Sequence, residues 1–388
     1  MIKVAIIGTG NIADSHIKGL LTFPERCKIV ALVDTYPEKA VEKKEKFNLP
    51  DAEVFKSHEE LIQSGMEIDL VHNCTPPYVH ASISIDCMDA GMNVLVEKPM
   101  ATCLEECDRM LEAGKRNGVV FASVAQNRFR DSIYKLKTLA DSGTAGKVRV
   151  AHVNSLWWRG HSYYDLWWRG LWEKEGGGPT LNHAVHHIDM INWIQKELPE
   201  EVTAVMSNVM HDNSEVEDIS FATLKYKDGA LAQVTSSVVH HGEEQGIVLQ
   251  CEKAKIAAPF SVKANSSKEN GFPNENTQLM EEITAQHDAI VDLSYEAHTG
   301  QIDDLLRALE NGTVPAITGE DGRKTVELIS AIYKSGSLKQ TVQLPISKDD
   351  DFYTFEGILK NAVRFYEKTG FVENFKAAEI TTGNYDKK

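Results

Sequence analysis

The feature that most constrains the fold of this chain is a glycine-containing turn between a buried strand and a helix near the N-terminus. An apolar run ends at Gly8 and is followed by Gly10 and by the small residue Ala13, after which a helical pattern continues to about Leu21. In a strand–turn–helix unit of this kind, the glycines allow a tight turn and close approach of a pyrophosphate, while the helix N-terminus faces the anion. The turn therefore predicts a dinucleotide-binding βαβ unit that uses Gly8 and Gly10.

The choice of dinucleotide depends on a carboxylate that ends the second strand. The apolar run 28–33 is followed by Asp34, which lies 21 residues after Ala13. An acid at this strand end can accept hydrogen bonds from a ribose diol and repels a 2′-phosphate. Because Thr35 rather than arginine follows it, the sequence predicts NAD as the cofactor in preference to NADP.

Further strand–helix units complete this first domain. Apolar strands precede Thr75-Pro-Pro77 and Glu97-Lys98-Pro99, and a last strand precedes Gln126. In a doubly wound parallel sheet, ligands bind outside the carboxyl ends of the strands, where Gly8, Asp34, Thr75 and Lys98 are all expected. We predict an α/β Rossmann domain over residues 1–125.

Composition restricts the class of partner. Of the 388 residues, 42% are apolar and 25% are charged, and no apolar run reaches the roughly 18 residues that span a bilayer. The net charge of −16 argues against nucleic acid or an anionic membrane as the partner, since both require a basic face. Six cysteines without a CxxC pair indicate reduced thiols. We expect a cytoplasmic protein with a small-molecule substrate.

A second glycine run precedes a histidine-rich helix. Gly176-Gly-Gly178 is followed by Pro179, and five apolar residues then recur at helical spacing: Leu181, Ala184, Val185, Ile188 and Ile191. A neighbouring stripe carries Asn182, His186, Asp189 and Trp193, with His183 and His187 further round. This stripe either is a polar flank or faces a ligand. The glycines favour a ligand, because they let another group approach the helix entrance. A zinc site at His183 and His187 lacks a third ligand, so no metal is predicted.

An aromatic segment separates this helix from the preceding strand. Residues 157–172 contain Trp-Trp-Arg-Gly twice and five of the six tryptophans. Aromatic faces beside arginine, aspartate and tyrosine suit a sugar ring, which offers CH surfaces to stack and hydroxyls to hydrogen-bond. The alternative is a core or oligomer-interface cluster.

The second half of the chain has a different pattern. Alternating strands are predicted at 147–156, 201–211, 218–226 and 231–240, with Asp228-Gly229 as a hairpin turn. Strands at 246–251 and 255–258 extend this sheet, and residues 261–290 are interpreted as a polar surface loop or lid. We predict one α+β domain over residues 126–388 with a largely antiparallel open sheet.

Taken together, these motifs resemble the glucose-fructose oxidoreductase, inositol dehydrogenase and rhizopine catabolism (Gfo/Idh/MocA) oxidoreductases. The resemblance rests on five motifs in order: Gly8-x-Gly10-x-x-Ala13, Thr75-Pro-Pro77 with His80, Glu97-Lys98-Pro99, Gln126-x-Arg128-Phe129, and Gly176 to Asp189. It implies a substrate-binding C-terminal sheet that often forms the oligomer interface. A homo-oligomer, dimer or tetramer, is therefore expected.

The resemblance also assigns roles to residues. Lys98 would orient and polarise the substrate hydroxyl, and His186 would handle its proton. Asn182 is the third predicted catalytic residue, and it stands where members of the family often have aspartate. Because asparagine can hydrogen-bond but cannot hold charge, His183 is a candidate substitute in a proton relay. The implied cofactor contacts are Asn11, Ile12, Thr75, Pro77, His80, Glu97 and Gln126, with Trp168 and Arg169 near the nicotinamide edge. The implied substrate contacts are Lys98, Trp168, Asn182, His183 and His186, together with Arg128, Tyr163 and His187.

Oxidation of a secondary alcohol by NAD needs a base of near-neutral pKa beside the hydroxyl, and histidine or a perturbed lysine meets this need. We therefore expect an NAD-dependent dehydrogenase that acts on a ring hydroxyl of a sugar, glycoside or cyclic polyol. Two alternatives remain open. One is NAD-dependent glycoside cleavage by transient oxidation and elimination, and the other is a sugar- or NAD-sensing regulator without turnover.

Overall fold

A computed structural model describes residues 1–373 and 375, which divide into two units. The first unit comprises Met1–Phe129 and Ser294–Val326. Its six strands are parallel and lie in the order β3-β2-β1-β4-β5-β6. They are β1 Ile2–Ile7, β2 Cys27–Val33, β3 Glu53–Phe55, β4 Leu70–Asn73, β5 Asn93–Val96 and β6 Phe121–Ser123. This is the predicted doubly wound sheet, whose strand order reverses beside β1.

Helices connect these strands, and a later segment completes the unit. The helices are Ala13–Leu21, Pro37–Lys46, His58–Gln63, His80–Asp89, Leu104–Asn117 and Ala297–Asn311. Ile302, Leu305 and Leu306 of the last helix belong to the same buried cluster as Ile6 and Leu20. Each such side chain contributes roughly 1.5–3 kcal/mol when it is fully buried. The assignment of all residues 126–388 to the second domain was therefore wrong for 294–326, because this amphipathic helix buries its apolar face in the first unit.

The second unit, Arg130–Leu293 with residues from Glu327 onward, contains a nine-stranded sheet. The order is β14-β13-β12-β11-β7-β10-β9-β8-β15, and every pair is antiparallel except β7 with β10. The strands are β7 Val148–Leu156, β8 Glu201–Ser207, β9 Ile219–Lys225, β10 Leu231–Ser237, β11 Gln245–Cys251, β12 Ala254–Ala258, β13 Ser261–Ser267, β14 Pro273–Glu275 and β15 Val342–Gln343. The fold class predicted from the sequence is confirmed.

The interpretation of residues 261–290 as a loop was wrong. They form strands β13 and β14 and the helix Thr277–Ala289 at one edge of the sheet. Within that helix only Ile283 is fully buried. The sparse apolar content reflects an edge element with one narrow buried contact, and not the absence of regular structure.

The remaining helices of this unit are Asp131–Ser142, Trp172–Glu175, Pro179–Asn182, Val185–Gln195 and Phe355–Asn361, while Gly319–Leu338 contributes residues to both units. None of the helices in the described part of the chain is long and apolar enough to cross a membrane.

Candidate active site

The glycine turn after β1 has the geometry that close approach of a pyrophosphate requires. Gly8 has a φ of +87°, and a Cβ there would lie 2.8 Å from the backbone carbonyl of Cys74. A Cβ at Gly10 would meet nothing within 4 Å, which leaves open space beside the turn. Exposed Asn11 and the N-cap residue Ile12 follow, and no side chain caps the helix N-terminus at Ile12. The first N–H groups of the helix can therefore serve an anion.

Asp34 is held beside this turn. Its Oδ2 accepts hydrogen bonds from the backbone N–H and the hydroxyl of Thr9, both at 2.8 Å, and its Oδ1 accepts from the N–H of Tyr36 at 2.9 Å. Each carboxylate oxygen has further lone pairs for a ribose hydroxyl. Thr9 therefore orients the acid, a role that the sequence did not reveal.

Thr75 and Pro77 lie after β4, as predicted, but His80 differs from its assigned role. The His80 side chain is completely buried, and its ring nitrogens lie 2.9 Å from the carbonyl oxygen of Pro99 and 2.7 Å from that of Thr75. No ring nitrogen remains to contact a cofactor. His80 is better described as a residue that ties the loop after β4 to the loop after β5.

Glu97 is likewise turned inward. Its Oε1 lies 2.9 Å from Nε2 of His16 and 3.3 Å from Nε2 of His298, and its Oε2 accepts from the backbone N–H of Lys98 at 3.0 Å. Burial opposes ionisation of the carboxyl, but hydrogen bonds from the two histidines outweigh it and hold the pKa of Glu97 well below its usual value. Glu97 thus braces the backbone of half-buried Lys98, and both of its carboxylate oxygens have partners within the protein, which argues against the predicted direct cofactor contact.

The turn Gln126–Phe129 carries two predicted residues with different surroundings. Oε1 of Gln126 is buried and has no hydrogen-bond partner among the described residues, so it stays a candidate for a ligand. Arg128 is buried, and its guanidinium lies 3.2 Å from Oδ1 of Asp321. Its charge is neutralised within the unit, which argues against the predicted contact with substrate.

In the second unit, the close approach at the glycine run comes from the protein itself. A Cβ at Gly177 would lie 2.1 Å from the hydroxyl of Tyr333, and one at Gly178 would lie 2.1 Å from the backbone oxygen of Glu217. The Glu217 carboxylate accepts from the N–H groups of Gly178 and Thr180, at 3.2 and 3.1 Å. The glycines are thus explained by intramolecular packing, and they no longer favour a ligand at this position.

The helix after these glycines is broken. Pro179–Asn182 and Val185–Gln195 are separate helices, because the chain deviates at His183. The apolar stripe predicted for this segment is buried. The Asn182 amide donates to the carbonyls of Gly177 and Gly178, at 2.9 and 3.3 Å, so Asn182 braces the glycine turn.

The histidines of this segment are sorted by burial. His187 is fully buried, and desolvation lowers its pKa to about 3, which makes it a neutral core residue and excludes it as a substrate contact. His186 and His183 are half-buried. His186 therefore remains the candidate base.

The aromatic segment packs against this helix entrance. The ring centroid of His183 lies 5.6 Å from that of Trp157 and 6.0 Å from that of Tyr163. The guanidinium of Arg169 lies over the rings of Tyr163, at 4.1 Å, and Trp168, at 4.2 Å, and it donates to the buried Glu175 at 2.8 Å. Burial raises the pKa of the Glu175 carboxyl. The result is an aromatic surface next to histidine that includes the ion-paired guanidinium of Arg169.

Sequence reasoning missed Glu217, Tyr333, His16 and His298. His16 follows the glycine motif by one helical turn, but the other three lie far from their partners in the chain and have no local pattern.

Comparison with known proteins agrees with this geometry. Residues 2–125 match the oxidoreductase family with an NAD-binding Rossmann fold named GFO/IDH/MocA, and residues 133–257 match the GFO/IDH/MocA C-terminal domain. The chain is 26% identical to the myo-inositol 2-dehydrogenase of Thermotoga maritima over 346 residues, or 88% of this chain and 98% of that protein.

Two further likenesses differ in extent. The chain is 28% identical to the 2,7-anhydro-N-acetylneuraminate hydratase of Mediterraneibacter gnavus, but over only 65% of this chain and 66% of that protein. Its structure is similar to that of the WlbA dehydrogenase from Bordetella pertussis in complex with NADH and UDP-GlcNAcA. The TM-score is 0.75 at 25% identity over 89% of this chain and 99% of that chain. The chain therefore belongs to the Gfo/Idh/MocA oxidoreductase family and has an NAD-binding Rossmann domain.

Proposed function

We propose that the protein is a dehydrogenase that transfers a hydride between NAD and a ring hydroxyl of a sugar, glycoside or cyclic polyol. The observation that carries the proposal is the cluster of His183, Tyr163, Trp168 and Arg169 at the entrance of the helix that bears His186. Aromatic rings present flat apolar faces, and the Arg169 guanidinium has an Nε–H group without a partner among the described residues. Together they suit a ring with axial CH and equatorial OH groups. The relative named for myo-inositol supports this substrate class.

The chemistry requires one hydride and one proton to leave the substrate. NAD accepts the hydride when it is bound. We assign orientation and polarisation of the hydroxyl oxygen to Lys98, and removal of its proton to His186. Glu97 supports this assignment because it holds the backbone N–H of Lys98. A base must be unprotonated to accept the proton, so oxidation should rise with pH through its pKa.

The test is kinetic. A panel of sugars and cyclitols with NAD identifies a substrate by NADH absorbance, and Lys98→Ala and His186→Ala are then compared with the parent protein. A positioned proton acceptor contributes roughly 10²–10⁴-fold, so each variant should lose about that much kcat while NAD still binds. The double variant should lose no more than the worse single one, since both act on one proton transfer.

Two results contradict this mechanism. Near-normal oxidation by both single variants removes the two residues from the reaction. Losses that multiply in the double variant show that Lys98 and His186 act in independent steps. His183→Ala serves as the matched neighbour: a loss as large as that of His186→Ala would identify His183 as the base.

A second candidate is elimination after transient oxidation, which the relative named as an anhydroneuraminate hydratase favours. In that reaction the hydride returns to the substrate and no net NADH accumulates. Product analysis by mass spectrometry separates the two reactions: a change of two hydrogens indicates dehydrogenation, whereas addition or loss of water, or glycoside cleavage, without NADH indicates elimination.

The predicted location and assembly are also part of the proposal. Five of the six cysteines are buried and all are free thiols, which suits the cytoplasm. The open sheet exposes Val205, Phe221 and Leu231, an apolar face that suits a homo-oligomer. Size-exclusion chromatography with light scattering tests the assembly.

A further inference from the structure

A cluster of histidines and one carboxylate lies inside the first unit, on four different elements. His16 is in the helix Ala13–Leu21, His72 is in β4, Glu97 follows β5, and His298 is in the helix Ala297–Asn311. Nε2 of His16, Nε2 of His298 and one Glu97 oxygen all lie within 4.8 Å of one another. The two Nε2 atoms contact the same oxygen, Oε1 of Glu97, at 2.9 Å for His16 and 3.3 Å for His298.

We propose that this cluster binds a divalent transition-metal cation of the Zn²⁺ class through His16, His298 and Glu97. Imidazole nitrogen and carboxylate oxygen are ligands that such cations prefer, and three protein ligands leave one position for water. Bonds of roughly 2.0–2.2 Å from ion to ligand place ligand atoms about 3–3.5 Å apart. The two separations from Oε1 are close to this range, and the two Nε2 atoms lie within 4.8 Å of each other.

The tautomer of His16 decides whether this residue can be a ligand. A histidine donates the lone pair of an unprotonated ring nitrogen to a metal, so the proton of His16 must lie on its other ring nitrogen. That nitrogen has a partner.

That partner is His72, whose Nδ1 lies 2.9 Å from Nδ1 of His16. When His16 carries its proton on Nδ1, it donates to Nδ1 of His72, and Nε2 of His16 is left with a lone pair directed at the cluster. A metal-bound histidine almost always donates its other N–H in this way, which fixes the ring orientation. His72 would be the outer partner of the site.

Charge and access agree with a cation. The Glu97 side chain is 5% exposed, and a buried carboxylate is costly unless a cation or strong donors compensate it. The His298 side chain is 14% exposed and is the most accessible of the three proposed ligands. The competing interpretation is a closed hydrogen-bonded network in which both histidines donate to Glu97, with no affinity for an ion.

The experiment uses the untagged full chain after treatment with a chelator and gel filtration, without substrate. Zn²⁺ is titrated against a chromophoric competitor, and Co²⁺ is added separately to record its visible absorption bands. We expect one ion per chain, and Co²⁺ bands typical of nitrogen and oxygen ligands. His298→Ala, a change at the rim of the cluster, should weaken Zn²⁺ binding by at least about 10–100-fold, the range seen even for outer partners.

His58→Ala is the matched control, because His58 also has two carboxylates nearby, Asp86 at 3.0 Å and Glu59 at 3.2 Å, but the side chains of both carboxylates are more than half exposed. It should bind Zn²⁺ as the parent does. Failure of the parent protein to retain Zn²⁺ or Co²⁺ overturns the proposal and establishes the hydrogen-bonded network; this result needs no variant. Equal affinity of His298→Ala and the parent also overturns it, as does an equal loss in the His58→Ala control. None of these outcomes bears on the proposed dehydrogenase reaction, which is measured separately.

Discussion

The glycine run before the histidine-bearing helix makes a sharp prediction about stability. An alanine Cβ at position 178 would lie 2.1 Å from the backbone oxygen of Glu217 and 2.8 Å from its carboxyl carbon. Gly178 has a φ of −93°, which is outside the left-handed region, and the contact with Glu217 dominates the expected cost. Glu217 is buried just before strand β9, and its backbone oxygen cannot rotate away as a flexible side chain can.

The magnitude follows from two costs. Overpacking of a buried site costs about 1–3 kcal/mol. The shift also strains the hydrogen bonds from Gly178 and Thr180 to the Glu217 carboxylate, and each buried bond that is lost costs roughly 1–3 kcal/mol. We expect Gly178→Ala to lower the free energy of unfolding by about 3–5 kcal/mol, a large part of the 5–15 kcal/mol typical of a domain.

The assay is urea denaturation followed by tryptophan fluorescence. All six tryptophans lie in the second unit, so the signal reports the unit that carries the substitution. At typical slopes of about 1–3 kcal/mol per molar urea, the midpoint should fall by more than about 1 M. Gly160→Ala is the control, because a Cβ there would meet only a ring atom of Trp158 at 3.5 Å, and it should leave the midpoint nearly unchanged. Equal midpoints for the two variants would refute the packing argument.

Three further predictions concern single side chains. Burial raises the pKa of Glu217 to about 7 from a usual 4.5, so between these pH values the folded state binds a proton that the unfolded state has lost. The free energy of unfolding should therefore fall by about 3 kcal/mol as the pH rises from 4.5 through 7. Glu217→Gln should remove this pH dependence. The measurement is the free energy of unfolding of the parent protein and of the variant at about pH 5 and about pH 8. If the free energy changes equally with pH in both proteins, the prediction is contradicted. Asp34→Ala should weaken NAD binding and reduce the preference over NADP in a titration, whereas comparable affinities of the parent for both would remove Asp34 from its role. Trp168→Ala should raise KM or lower kcat for the sugar with NAD affinity retained; unchanged kinetics with loss of assembly would instead support an interface role.

The part of the site that the sequence predicts well is the part that is local in the chain. Gly8 and Gly10 lie in one turn between a strand and a helix, and Asp34 ends the next strand, so periodicity and spacing alone place them at one sheet edge. The same holds for Thr75 and Lys98, because parallel strands bring their carboxyl ends to the same side.

The errors arise where distant residues set the surroundings of a local motif. The sequence shows that Gly177 and Gly178 admit a close neighbour, but only the fold shows that Tyr333 and Glu217 are those neighbours. His186 and His187 are adjacent in the chain, yet the first is half-buried and the second is fully buried, and the helix predicted through them is broken at His183. A uniform helical wheel cannot anticipate such a break.

The sequence by itself determined the parallel sheet of the first unit, the nucleotide-binding turn and the family, and it predicts an acid that selects NAD, because each depends on residues within one short βαβ unit or one ordered set of motifs. The tertiary structure decided which polar groups are engaged. It turned His80 and Glu97 inward, paired Arg128 with Asp321, and brought His298 to within hydrogen-bond distance of Glu97 across 201 positions of sequence. The physical reason is that burial requires every polar group to find a partner, and those partners are set by three-dimensional packing rather than by neighbours in the chain.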